Sequence, residues 1–288
     1  MKPTAATPRA TKTSPGEEAR LLETREVTPG RHLLHWAAPG IARAVQPGQF
    51  IYVRSPRQLG LLLPALPVAG FDRVDGTIDL LVTAGSATAA PVLGVREGED
   101  ASFEGPLGRG FAIDARSRYL LAVADVDGLA RVRAIVDEAV ASGRQVTVLL
   151  GARSVADVLP STLLPDEAEY VVATADGSLG HHGQVADLVT EYEAWADQCF
   201  AAGSKALLAR MAHLAKGRDG RMGVARLGRR RGKRPESRGA DARRKAWLQL
   251  ALAHDAGCAL GVCAGCTAEG SDGPVPVSYT HLRAHETS

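Results

Sequence analysis

Between residues 19 and 111 the chain alternates short apolar runs with turn residues, and each run is long enough for one strand only. Six runs read as strands: 19–24, 32–37, 50–54, 66–72, 77–83 and 99–104. Between them stand Pro29-Gly30, Pro39-Gly40, Pro47-Gly48, Asp75-Gly76 and Glu97-Gly98, dipeptides suited to chain reversal. Asp75-Gly76 predicts a type I′ hairpin turn, which needs φ > 0 at both central positions. Strands at these intervals predict a small antiparallel β-barrel. After Arg118 the period changes. Strands over 119–124, 145–150, 170–174 and 198–202 alternate with helical stretches, the first carrying Leu129, Val132, Val136 and Val140 on one face. Further helices are expected over 185–195 and 205–215. Alternation of this kind predicts an α/β domain whose parallel sheet is covered on both faces. Ligands gather at the carboxyl ends of such strands, so the loops of interest are 125–128, 151–154, 175–183 and 203–205.

A chain of 288 residues exceeds one ordinary core, which agrees with two domains and an appendage. No run of eighteen apolar residues occurs, so no membrane-spanning helix is expected. Residues 1–18 are rich in Thr, Pro, Ala and Lys without an apolar stretch, and read as a disordered leader. The net charge of +2 is unevenly spread: residues 217–245 carry twelve Arg or Lys against three acids, so the remainder is acidic. That Gly-rich segment reads as a basic flexible insertion. A nucleic-acid arm is the rival reading, but no aromatic residue stands among the arginines to stack a base. The expected organisation is a leader (1–18), a barrel (19–113), an α/β domain (114–216), the insertion (217–245), a cysteine segment (246–273) and a terminal stretch (274–288).

The cysteine segment holds the densest chemistry. Cys258-Ala-Leu-Gly-Val-Cys263-Ala-Gly-Cys266 has the spacing C-x4-C-x2-C, with Gly257 just before it and Gly261 and Gly265 between the thiols. This is the spacing of plant-type [2Fe–2S] loops, in which a fourth Cys follows further on. Glycine suits it, because a loop around a compact cluster needs positive φ and backbone N–H groups aimed inward. Zinc and buried structural thiols are the competing readings; zinc sites commonly use two separated Cys pairs. Ser278 stands where the fourth ligand is expected, and the closing VSYTHLRAHETS resembles translated adaptor sequence. The last stretch is therefore read as an assembly scar and left out of fold reasoning. Cysteines clustered this way point to a metal centre in a reducing compartment, hence a cytoplasmic chain. His181 and His182 read as solvated loop residues, Cys199 as core packing, and Trp195 and Trp247 as packing anchors. No Ser/His/Asp constellation or carboxylate dyad is apparent, so no catalytic residue is assigned.

In this order the modules resemble the electron transfer subunits of type B dihydroorotate dehydrogenases, in the ferredoxin reductase-like group. The resemblance runs from about Leu21 to Gly270. Pro47-Gly48-Gln49-Phe50 matches the family's PGQF, and the run from Gly105 through Pro106, Leu107, Gly108, Arg109 and Gly110 to Phe111 matches GPLGNGF, with Arg109 for Asn. Ala175-Asp176-Gly177-Ser178, with Gly180 and Gly183, resembles DDGS-x-G-x-x-G; Ala202-Gly203-Ser204 stands at the family's Cys-Gly-Pro. The resemblance implies FAD held at Leu66, Pro67 and Val68 and at Gly85, Ser86 and Thr88. It implies a nicotinamide contact at Gly203 and Ser204, and a [2Fe–2S] cluster on Cys258, Cys263 and Cys266. The implied partner is the catalytic dihydroorotate dehydrogenase subunit, in a heterotetramer that serves pyrimidine synthesis.

Departures from the family pattern fall on the cofactor loops. Pro64 and Pro67 replace the Arg and Ser of the flavin motif, and proline brings neither charge nor a donor. The family's glycine run after the first α/β strand becomes Ala124-Asp125-Val126-Asp127-Gly128, whose carboxylates repel a diphosphate; Asp127 is expected to cap the next helix. NAD is accordingly doubtful. Two rival roles follow: a related reductase subunit for another partner, and a scaffold of the same fold that has lost NAD.

Overall fold

The computed structural model describes residues 16–58, 60, 62–85, 89–227, 247–252, 256–257, 267–270 and 273–276. Its first part is built from β1 (Glu17–Thr28), β2 (Arg31–Ala37), β3 (Phe50–Arg54), β4 (Leu63–Asp72), β5 (Thr77–Thr83) and β6 (Asp100–Leu107), with short helices α1 (Pro39–Ala44) and α2 (Ala90–Leu93). The strands lie in the order β4-β3-β6-β1-β2-β5, all antiparallel, and β4 pairs with β5 to close the barrel. Each of the six strands read from the apolar runs is present. Alternating side chains fill the interior: Leu21, Leu34, Trp36, Ile51, Ile78, Leu80 and Phe103 are fully buried. Trp36 and Phe103 meet edge-on with ring centroids 4.9 Å apart.

Three local expectations change. The β4–β5 connection is a four-residue loop, 73–76, between paired Asp72 and Thr77. Asp72 Oδ1 accepts the N–H groups of Val74 and Asp75, and this side-chain turn displaces the two-residue I′ geometry. Pro39-Gly40 opens α1 and does not form a plain turn; Glu17 accepts both Gly40 N–H and Ile41 N–H at 2.7 Å. Glu17 and Glu18 also pair with Phe103 and Ser102, so the barrel begins inside the stretch assigned to the leader; residues 1–15 lie outside the described residues.

The second part comprises β7 (Tyr119–Asp125), α3 (Leu129–Ala141), β8 (Gln145–Ala152), β9 (Glu169–Thr174), β10 (His181–His182), α4 (Val185–Tyr192), β11 (Gln198–Ala202), α5 (Lys205–Leu227) and β12 (Leu248–Ala251). Its sheet has the order β10-β9-β8-β7-β11-β12 and is parallel throughout. Apolar side chains bury both faces: Leu120, Leu129, Val132 and Phe200 belong to one core, Leu121, Val189, Met211 and Leu248 to the other. β12 comes from the stretch assigned to the cysteine segment, so the sheet takes its last strand from beyond the basic insertion. α5 likewise runs past Gly217 to Leu227, into that insertion; residues 228–246 lie outside the described residues.

Helix α3 joins the two parts. Leu33 and Leu81 of the barrel pack against the α/β core. Arg133 donates to Asp79 of β5 at 2.8 Å and to Leu163 O at 2.6 Å, and His35 Nδ1 lies 2.8 Å from the same Asp79 carboxylate. Burial alone would push the Asp79 carboxyl up, but Arg133 and His35 together hold it below the usual carboxylate range. Nearby Asp137 has no such set of partners, and burial pushes it up to about 6.

Beyond β12, β13 (Ala256–Gly257) pairs antiparallel with Pro64 and Leu63 at the edge of β4. A hairpin of β14 (Thr267–Gly270) and β15 (Gly273–Pro276) follows, and its second strand straddles the boundary drawn at residue 273. It places strands where the sequence reading named only a cysteine segment and a terminal stretch.

Candidate functional site

A cleft of about 520 Å³ opens at the carboxyl ends of β7, β8, β9 and β11, where an open parallel sheet places ligands. Its walls come from the turn after β7 (Asp125, Val126, Asp127), the end of β8 (Gly151, Ala152, Arg153), the start of α4 and the start of α5. Arg31 of the barrel reaches into it. That side chain is 14% exposed, its Nε is buried with no hydrogen-bond partner among the described residues, and its Nη2 lies 4.0 Å from Asp127 Oδ1.

The β7–α3 turn is organised by Asp125, not Asp127. Asp125 Oδ1 accepts Gly128 N–H at 2.9 Å and Oδ2 accepts Ser204 N–H at 2.6 Å. Gly128 is the N-cap of α3, so one carboxylate ties the start of α3 to the turn after β11. Asp127 makes no side-chain cap there, and its side chain is 74% exposed. Gly203 has φ +147, and a Cβ at that position would lie 2.5 Å from Asp125 Oδ1. Its missing side chain is what admits the carboxylate. Gly203 and Ser204, the expected nicotinamide contacts, therefore face an internal anion.

The flavin-motif residues do not line this cleft. Val68 lies in the barrel core and Leu66 packs against it, so Pro67 between them faces the other side of β4. Pro67 is buried and pairs with Phe50, while Val68 N–H donates to Gln49 O at 3.0 Å. The two motifs beside this strand hold each other. Gln49 Nε2 donates to Gly108 O and Phe111 N–H to Pro47 O, each at 2.7 Å, and Phe111 packs edge-on against Phe200 of β11. The GPLGRGF run thus passes from the barrel into the α/β core. Gly85 is exposed with φ +94, leaving its backbone open; Ser86 and Thr88 lie outside the described residues.

For a flavin, β4 offers an extended backbone beside the PGQF strand, which fits support of a ring. It offers no cation for the phosphates, because Pro64 and Pro67 stand at the donor positions. For a dinucleotide diphosphate the β7–α3 turn fits poorly, since the Gly128 amide at the helix start already donates to the Asp125 carboxylate, a fixed negative charge beside that seat.

The remaining candidates fall into structural roles. Asp176 accepts Ser178 N–H and Oγ–H, and Ser178 Oγ accepts Val155 N–H, so the DGS loop is tied to the stretch after β8. Those Ser178 bonds hold the Asp176 carboxyl below its ordinary range. His181 and His182 form the edge strand β10, and the His182 ring occupies the space above Gly177. Cys199 is fully buried in β11, where desolvation pushes its thiol up. Trp195 packs on Tyr119 and Tyr192, and Trp247 donates to Ala196 O at 3.0 Å beneath the Arg218 guanidinium. Cys258, Cys263 and Cys266 lie outside the described residues, among which no cluster of His, Cys, Asp or Glu could hold a metal. Among the described residues no helix is long and apolar enough to cross a membrane.

Sequence patterns missed Asp125 as the organiser of the turn. The only local signal was its position at the end of an apolar strand, and its second partner is 79 residues away. Arg31 was also missed, since nothing near it in sequence marks a cleft.

No family model matches the chain. It is 32% identical over 180 residues to the dihydroorotate dehydrogenase B (NAD(+)) electron transfer subunit of Desulforamulus reducens, covering 62% of this chain and 69% of that protein. The subunits of the same name from Shouchella clausii and Listeria monocytogenes serotype 4a are 30% and 27% identical over 166 residues, 64% and 65% of their lengths. The chain thus spans about two thirds of these relatives. Among solved structures, an NADH-dependent reduced ferredoxin-NADP oxidoreductase superposes with a TM-score of 0.69 at 19% identity, over 93% of this chain and 89% of that one. The ferredoxin reductase of carbazole 1,9a-dioxygenase gives 0.61 at 20% identity, over 72% and 67%. At these identities the structures share the fold.

Proposed function

This chain belongs to the family of dihydroorotate dehydrogenase B electron transfer subunits, and from that premise we propose that it relays electrons between FAD and a [2Fe–2S] cluster. The partner in this reading is the catalytic dihydroorotate dehydrogenase subunit, in a cytoplasmic heterotetramer serving pyrimidine synthesis. Flavin would supply exchange of electron pairs and the cluster exchange of single electrons; the protein's part is placement. The observation that carries the reading is the pairing of β13 with β4. Gly257, immediately before Cys258, pairs with Leu63, close in sequence to Leu66 and Pro67. One strand edge thereby joins the start of the cysteine loop to the flavin-motif strand.

In this reading Leu66, Pro67 and Val68 support the flavin through their backbone, and the loop from Gly85 through Ser86 to Thr88 takes the phosphates with its amides. Cys258, Cys263 and Cys266 supply three thiolates, the donor set suited to iron–sulfur ligation. The test is spectroscopic. Full chain expressed with iron and sulfide should show flavin absorption together with the paramagnetic signal of a reduced [2Fe–2S] cluster. Cys263→Ser should abolish that signal and keep the flavin. Protein that carries zinc alone, with no acid-labile sulfide, refutes the relay. Colourless protein would favour a scaffold of the same fold, a second reading prompted by Pro64, Pro67 and the filled β7–α3 turn.

A further inference from the structure

We propose that Asp125 is a built-in anion that occupies the phosphate seat of the α/β cleft and sets its specificity against dinucleotide diphosphates. The inference rests on the relay reading above, because it concerns where that relay does not accept its electrons.

A backbone seat for a diphosphate needs free N–H groups at a helix start and no fixed negative charge beside them. Here the N–H of Gly128 at the start of α3 and the N–H of Ser204 after β11 both point at Asp125, at 2.9 and 2.6 Å. The carboxylate takes the place that a phosphate oxygen would need. The space is shaped for it, since only a residue without Cβ at position 203 leaves the carboxylate room. A second carboxylate, Asp127, stands two residues on.

Of the cations at the rim, Arg210 donates to Asp187 at 2.6 Å. Arg153 and Arg31 stand 3.8 Å from Asp157 and 4.0 Å from Asp127, each beside a carboxylate that offsets its charge without a hydrogen bond. An entering diphosphate would have to displace Asp125 from two amides while its charge remained nearby, and like charges that close repel. Val126, Ala152, Val185 and Leu207 give the wall an apolar portion that suits an uncharged ring. With Asp125 in the helix-start seat, the cleft therefore gains far less from a diphosphate than a free backbone seat would.

Calorimetric titration of the full, flavin-loaded chain with adenosine, ADP-ribose and NADH decides the matter. Wild type should bind ADP-ribose less than tenfold more tightly than adenosine. Asp125→Gly should strengthen ADP-ribose and NADH at least tenfold and leave adenosine unchanged, with Asp125→Asn in between. The proposal is overturned if wild type prefers ADP-ribose over adenosine by tenfold or more, or if Asp125→Gly leaves that preference where it was. Should the glycine variant fail to fold, the wild-type ratio still decides. Flavin and cluster spectra of the same sample report on the relay separately, so either idea can fail without the other.

Discussion

The ion pair between α3 and the barrel gives the sharpest test of how the two parts are held. Asp79 and Arg133 meet at 2.8 Å with side chains 19% and 17% exposed, so neither charge is well hydrated. Removing one partner of a buried pair leaves the other charge stranded, at a cost of roughly 3–5 kcal/mol. Arg133 keeps its bond to Leu163 O, and Asp137 stands close enough to take over part of its charge. Asp79→Ala should therefore fall at or just below the lower end, about 2–3 kcal/mol. Arg133→Met keeps the aliphatic stem and removes the charge. The double variant should be more stable than the summed single losses imply, by about 1 kcal/mol or more. Urea unfolding at neutral pH, followed by tryptophan fluorescence, measures all three. If Asp79→Ala lies within about 0.5 kcal/mol of wild type, or the two changes add, the pair is idle and the reasoning fails.

Asp137 should make the protein more stable in mild acid. Its folded carboxyl, raised to about 6 from an ordinary 3.8, binds protons more tightly than the unfolded chain, so its ionisation opposes folding progressively from about pH 4 and fully above about pH 6. Asp137→Asn should raise stability by about 1–3 kcal/mol at alkaline pH, with the gain shrinking as pH falls from 6 toward 4; an equal change in Tm at both ends contradicts this. Gly180 sits at φ +68, where a Cβ would run into the Val172 carbonyl, so Gly180→Ala should cost more than about 3 kcal/mol. Gly143, at φ +74 in open space, should cost only about 1–2 kcal/mol on the same change. Thermal unfolding separates the two, and a Gly180 variant no worse than the Gly143 one would show that the loop yields.

The barrel and the parallel sheet were legible because their strands carry complete local patterns. β2 alternates buried Leu34 and Trp36 with half-buried neighbours, and β8 is a near-continuous apolar run. What escaped depended on partners distant in sequence. Pro39-Gly40 carries the signal of a turn, and becomes a helix start because Glu17 supplies acceptors from another strand. Four residues of β12 are too short to announce a strand, and the arginine-rich stretch separates them from the domain they complete. At the site, the carboxylates after β7 were visible as an obstacle to a diphosphate. Which of them mattered was not, because local spacing favours Asp127 as a cap and the amide that fixes Asp125 belongs to Ser204.

The stretch from Leu248 to Gly257 covers two sheet margins at once: β12 lies along β11, and β13 along the start of β4. Uncovered strand margins recruit other chains, with aggregation as the usual outcome. This short length of polypeptide thus replaces both margins with shorter ones of four and two residues, and without it β11 and the start of β4 would present their own unpaired backbone in two places.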